Sequence, residues 1–109
     1  MQPKGAVYYN TILAGYIEKK SSRAYVFTYT DDYFADKMMP SISLTLPKSV
    51  KEHHDTVLFP FFSGLLSEGI NKDIQCKALK IDEDDDFTRL LKTAGDDTIG
   101  AITVKEIQN

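Results

Sequence analysis

Hydrophobic and polar residues alternate along the first half of the chain, with the period of β-strands that bury one face. Asn10 and Thr11 separate the first two alternating runs and form a link short enough for a two-residue hairpin turn. A later run ends at Pro47, because proline cannot donate a hydrogen bond to a strand ladder. The pattern predicts strands in the runs "AVYY" (6–9), "ILAGYIE" (12–18), "AYVFTY" (24–29) and "SISLTLP" (41–47).

From Leu58 onward the apolar residues recur at helical spacing. Pro60 suits the first position of a helix, and Gly69 suits the position just after its end. A second helix is predicted from Asn71 to about Leu79. A third begins in "DEDDD" (82–86), where carboxylates favour a helix N-terminus, and ends at Gly95. The residues that this third helix turns inward are Phe87, Leu90, Leu91 and Ala94.

The closing run "GAITVKEI" (100–107) returns to a strand pattern. Strands followed by helices and one more strand are typical of an α+β domain. We therefore predict a small, mostly antiparallel sheet of about five strands, with about three helices packed on one side. At 109 residues, the sequence predicts a single domain over residues 1–109.

Composition and charge exclude several classes of protein. The formal net charge of −3 has the wrong sign for a domain whose main partner is DNA or RNA. Cys76 is the single cysteine, which excludes a disulfide framework and is typical of a reducing compartment. The N-terminus lacks the apolar segment of a signal peptide, and no apolar run is long enough to span a membrane. We expect a cytoplasmic protein without direct contact to nucleic acid or membrane.

Candidate reactive groups are few and lack the partners that catalysis requires. His53 and His54 are adjacent and cannot both face one ion, so we interpret "HHD" as a solvated loop. Cys76 has no base partner at a suitable spacing, and we interpret it as structural. The acidic run at 82–86 lacks the alternation and glycine of a calcium loop, while Asp31-Asp32 predicts a turn. The sequence predicts neither an enzyme nor a metal or cofactor site.

The segment 58–68, which contains the run "FPFFSGLL", carries more apolar surface than a helix on a sheet needs. At about 100° per residue, its apolar arc spans about 160°, against the roughly 100° that packing requires. The excess predicts a partner-binding surface, in which Gly64 permits close approach of another backbone. The predicted contact residues are Phe59, Phe62, Ser63, Gly64 and Leu66. A purely structural role in the core is the alternative for each of them.

Four motifs in this order resemble the N-terminal subdomain of HipA-type serine/threonine kinase toxins. They are "VYYNTILAGYIE", "SISLTLP", "PFFSGLLSEG" and "IDEDDDFTRLLKTAGDDTIGAITV". The resemblance covers about residues 6 to 104. Ser67 stands where the family usually has proline, and the sequence ends at Asn109, where the family continues into the kinase.

The resemblance implies that this chain is a separately encoded subdomain in a tripartite, HipBST-type system. In such systems a similar small protein is the antitoxin that binds and restrains a shortened HipA-like kinase. A helix-turn-helix DNA-binding protein is encoded with them and is a further expected partner. A scaffolding or activating subunit of the kinase is the main alternative. A small enzyme using His53 or Cys76, and direct operator binding, are further alternatives.

Overall fold

The structure of this chain is a computed structural model. In it the first two strands form a hairpin, as the alternation predicted. The structure describes residues 4–66, 70–82, 85–94 and 101–107. The turn places Asn10 at φ 55°, a left-handed conformation that asparagine tolerates better than most residues. A third strand continues the meander after Ser22 and Arg23. These strands are β1 (Lys4–Tyr9), β2 (Ile12–Ser21) and β3 (Ala24–Tyr29).

Two further strands complete a five-stranded antiparallel sheet with the order β4-β3-β2-β1-β5. They are β4 (Glu52–Asp55) on β3 and β5 (Ile102–Glu106) on β1. The helices of the described residues are α1 (Asp31–Ala35), α2 (Pro60–Ser63), α3 (Ile70–Leu79) and α4 (Asp86–Thr93). The predicted α+β class and antiparallel sheet are confirmed.

The core lies between one face of the sheet and side chains of α1, α2 and α4. Aromatic residues of β3 occupy its centre, where the Phe27 ring lies 4.8 Å from that of Tyr29 and 5.7 Å from that of Phe62, between centroids. The strand residues of this cluster include Val7, Ile17, Tyr25, Phe27, Tyr29 and Val104. The helix α4 contributes Phe87, Leu90, Leu91 and Ala94, the residues that its spacing predicted to face inward. Its predicted end at Gly95 lies outside the described residues.

The strand predicted at 41–47 is wrong. This segment is irregular, and the side chain of Leu44 is 99 % exposed. Its backbone is held by the hydroxyl of Tyr29, which donates to the carbonyl of Leu46 and accepts from the N–H of Ile42 at 3.1 Å. The alternation of Ile42 and Leu46 reflects burial beside Tyr29, since no strand among the described residues pairs with this segment.

The strand that pairs with β3 is instead β4, which contains the two histidines. The interpretation of "HHD" as a loop is therefore wrong, because His53 pairs with Phe27 and His54 with Val26 in the ladder. This edge strand is polar and only half-buried, so its sequence carries no hydrophobic alternation. The turn predicted at Asp31-Asp32 is likewise a short helix, α1, capped by the Thr30 hydroxyl, which accepts from the N–H of Tyr33 at 3.2 Å.

The helix predicted to begin at Pro60 and to end just before Gly69 is much shorter than expected. It begins at Pro60 as predicted and ends at Ser63, while Gly69 lies outside the described residues. The second predicted helix is confirmed as α3 and begins one residue earlier, at Ile70. Within the described part of the chain, no helix is long and apolar enough to cross a membrane.

Candidate partner-binding site

The segment from Phe59 to Leu66 is a single helical turn that tightens at its C-terminal end. Pro60 occupies the first helical position, where its missing N–H costs no hydrogen bond. The N–H of Gly64 donates to the carbonyl of Pro60 at 2.9 Å, which closes the α-helical turn. After it, Leu65 and Leu66 donate to carbonyls three residues earlier, at 3.1 and 3.2 Å. The chain therefore leaves the α-helical path at Gly64.

The inner side of this segment belongs to the core. Phe59, Phe62 and Leu66 are 5 %, 0 % and 8 % exposed. The ring of Phe62 packs against those of Phe27 and Phe59, with centroids 5.7 and 6.1 Å away. The apolar excess that we assigned to the surface at Phe59 and Leu66 is therefore buried within this chain. Whether these three residues contact a partner stays a prediction, because the isolated chain does not test it.

The outer side of the segment is formed by Pro60, Ser63 and Gly64. Gly64 is exposed, and Ser63 is half-buried with its hydroxyl donating to the carbonyl of Pro60 at 3.1 Å. A Cβ built on Gly64 meets only the carbonyls of Pro60 and Phe61, at 3.3 and 3.4 Å. Its φ of −68° is right-handed helical, so its backbone conformation does not require glycine, although an added Cβ would be crowded by these two carbonyls. Among the described residues Gly64 is exposed, which leaves it accessible to an incoming surface.

The other candidate residues do not assemble a reactive site. His54 lies 2.6 Å from the carboxylate of Glu52 on the exposed face of β4, while His53 Nε2 lies 3.0 Å from the carbonyl of Pro47. Cys76 is buried and unpaired by any disulfide. No group of three or more His, Cys, Asp or Glu side chains is placed to hold a metal ion among the residues that the structure describes.

The sequence did not predict the exposed apolar side chains of the loop between α1 and β4. Leu44 and Met38 are 99 % and 89 % exposed in the loop between α1 and β4. The tip that carries Leu44 is a tight turn, in which the N–H of Leu46 donates to the carbonyl of Ser43 at 3.1 Å. Assigning 41–47 to a strand hid this feature, since it placed Leu44 on the same face as the buried Ile42 and Leu46. No sequence signal distinguished it.

Comparison with known proteins settles which family this architecture represents. A sequence model of the HipA N-terminal domain matches residues 5–105. The chain belongs to the HipA N-terminal domain family. A solved structure described as the N-terminal domain of HipA toxin superposes with a TM-score of 0.72 and 29 % sequence identity. That similarity covers 98 % of this chain and 94 % of the other.

A second relative is an uncharacterised protein of Haemophilus influenzae. It is 33 % identical over 88 residues, which are 81 % of this chain and 78 % of the relative. The resemblance read from the four motifs is thus confirmed at the level of the HipA N-terminal domain. The similarity is to that domain of the toxin and does not extend to a kinase catalytic domain.

Proposed function

We propose that this HipA N-terminal domain is an antitoxin that binds and neutralises a shortened HipA-like serine/threonine kinase toxin encoded alongside it. The observation that carries the proposal is the extent of the structural similarity, which covers 98 % of this chain and 94 % of a HipA toxin N-terminal domain. A domain that is an integral part of the toxin in one protein is well suited to bind the remainder of a toxin in another. The kinase, and with it a helix-turn-helix protein, would be cytoplasmic partners.

The inhibitor would act by docking and not by chemistry. Two separate chains must recreate by binding the contact that a covalent linkage holds at high effective concentration. Such an interface needs about 800 Å² from each partner and a closely packed centre. The outer side of α2 offers a rigid centre of this kind, because Phe59, Phe62 and Leu66 fix it to the core from beneath.

We place the centre of the contact at Ser63 and Gly64 and assign to Phe59, Phe62 and Leu66 the role of supporting it. The exposure of Gly64 supports this assignment, because a glycine allows a second backbone to approach closely. A substitution of Phe59 or Phe62 would not test it, since loss of a buried phenylalanine costs about 3–5 kcal/mol and impairs folding itself.

The test uses Gly64→Arg, which places a long charged side chain on the proposed contact. We expect a folded variant, since the site is exposed and helical, with binding to the co-expressed kinase and rescue of growth both lost. Ser22→Arg is the matched control, because it adds the same charge at an exposed hairpin turn far along the chain. Circular dichroism, co-purification with the kinase and growth of kinase-expressing cells are the three measurements.

The outcomes of this experiment distinguish an error in the location of the contact from an error in the antitoxin function. A folded Gly64→Arg variant that still binds and neutralises the kinase would refute the placement of the contact. Leu44→Arg then tests the exposed loop as the docking surface instead. A wild-type chain that never associates with the kinase refutes the antitoxin itself, and stronger growth inhibition on co-expression identifies an activating subunit.

A further inference from the structure

An open cavity lies at the end of the sheet that is formed by the β1–β2 turn and β5. Its volume is about 360 Å³. Tyr8 and Thr103 are cross-strand partners, and Lys105 follows two residues later on β5. Since side chains alternate along a strand, all three lie on the sheet face opposite the buried pair Val7 and Val104. The full lining is Tyr8, Asn10, Thr11, Thr103 and Lys105.

The lining is rich in donors and contains no carboxylate. It offers an ammonium group, three hydroxyls and one side-chain amide. In the described part of the chain, none of these five side chains makes a hydrogen bond or an ion pair with the protein. The side-chain nitrogen of Lys105 lies 5.9 Å from the centre of the Tyr8 ring. These groups are therefore free to bind a ligand that accepts hydrogen bonds and carries negative charge.

The nearest acidic residue in sequence does not oppose such a ligand. Glu106 follows Lys105 and points to the other sheet face, where its carboxylate lies 2.6 Å from the ammonium of Lys92 on α4. Among the described residues, no carboxylate is placed to compensate the positive charge of Lys105 at the cavity, in a chain whose net charge is −3. Attraction of an anion to this cavity would be a local property, since the whole molecule repels anions.

The volume of the cavity indicates the size of ligand that it can hold. A cavity of about 360 Å³ exceeds what a bare phosphate needs and falls within the usual range for small organic ligands. A phosphate monoester combines several acceptor oxygens and nearly two negative charges with an attached organic group. The partly exposed ring of Tyr8 provides an apolar wall beside the donors, against which that group can pack.

We infer that this cavity is a binding site for a phosphate monoester, held by Lys105 and by the hydroxyls of Tyr8 and Thr103. The inference does not depend on the proposed antitoxin function. Two sources carry this chemistry, a free nucleotide and a phosphorylated side chain of a protein. The nucleotide and the phosphorylated side chain share the phosphate group and differ in the group attached to it, so the experiment below uses one probe of each kind.

The test is a titration of the full chain followed by amide NMR, with adenosine monophosphate, a phosphoserine peptide, adenosine and the unphosphorylated peptide as probes. We expect shifts at the cavity residues with at least one phosphorylated probe and none with its unphosphorylated counterpart. Lys105→Gln should weaken binding about tenfold or more, because it removes a charge-assisted hydrogen bond. Lys20→Gln, which removes the same charge from β2, is the matched control and should bind as the wild type.

The set of probes that bind identifies the kind of phosphorylated ligand and tests whether the cavity binds a phosphate monoester at all. Binding of the nucleotide alone identifies a free metabolite, binding of the peptide alone identifies a modified protein, and binding of both shows that the phosphate is recognised. Absence of shifts with both phosphorylated probes up to about 10 mM overturns the inference. Equal weakening by Lys105→Gln and Lys20→Gln also overturns it, because net charge and not the cavity would then govern binding.

Discussion

The hydroxyl of Tyr29 should be worth several kilocalories per mole to the fold, because it replaces a strand ladder for the segment at 41–47. Tyr29 is 1 % exposed, and its hydroxyl bonds to the carbonyl of Leu46 and the N–H of Ile42. Tyr29→Phe keeps the ring and its stacking on Tyr33, at 5.7 Å between centroids, and removes these two bonds. Each buried backbone group left unpaired costs about 1–3 kcal/mol.

We therefore expect Tyr29→Phe to lower the free energy of unfolding by about 2–4 kcal/mol. Since domains of this size are stable by about 5–15 kcal/mol, the variant should still fold. Urea denaturation measures the loss, and hydrogen exchange at the amide of Ile42 locates it. Tyr16→Phe is the matched control, because in the described part of the chain the Tyr16 hydroxyl makes no hydrogen bond, and it should change stability by less than about 0.5 kcal/mol.

Two results would refute this reasoning. A loss for Tyr29→Phe that equals the loss for the control would show that the loop does not depend on the hydroxyl. An unchanged exchange rate at the amide of Ile42, despite lower global stability, would show that the hydroxyl stabilises some other part of the core.

Three further predictions concern a close contact, a helix cap and alkaline pH. Gly15→Ala should cost about 3 kcal/mol or more in urea unfolding, because its Cβ would lie 2.4 Å from the carbonyl oxygen of Thr28; a cost under about 1 kcal/mol would contradict this. Asp85→Ala should lower stability by about 1 kcal/mol, since the carboxylate accepts from the N–H of Thr88 at 3.1 Å, whereas Asp85→Asn should retain most of it in thermal unfolding. Burial raises the pKa of Tyr33 to about 12, above the value of about 10 for tyrosine in the unfolded chain. Because the unfolded state therefore releases this proton first, the stabilisation from neutral Tyr33 is complete below about pH 10 and is lost between about pH 10 and 12. Alkaline unfolding of Tyr33→Phe should show a smaller loss of stability across that range than the wild type, and an equal loss would exclude this residue as its origin.

The strands of the sheet show which elements the pattern of apolar and polar residues can predict and which it cannot. β3 and β5 place apolar core residues at every second position, as their residue types predict, whereas β1 and β3 also bury three consecutive residues each, at 5–7 and 25–27. The edge strand β4 has no hydrophobic alternation and was mistaken for a loop, because its place in the sheet is set by backbone pairing to β3 and not by an apolar face. The segment at 41–47 shows the reverse error, since its alternation reflects contacts of a loop with the core.

The candidate site shows the same division. The helical wheel assumed regular steps through Phe59 and Leu66, yet Phe59 has the extended ψ of 134° and Leu66 follows a turn with shorter hydrogen-bond spacing. Both side chains therefore point elsewhere than the wheel predicted, and both are buried. The sequence predicted that Gly64 permits close approach of a partner, and the structure adds that this residue is exposed with a right-handed φ of −68°.

By itself, the sequence determined the α+β class, the meander, the inward face of α4 and the family, because these depend on periodicities and motifs local to the chain. Only the tertiary structure decided which apolar side chains are covered, which segment pairs with β3, and where donors from the β1–β2 turn and β5 meet in one cavity. Those properties depend on contacts between residues far apart along the chain, and such contacts leave no period in the sequence.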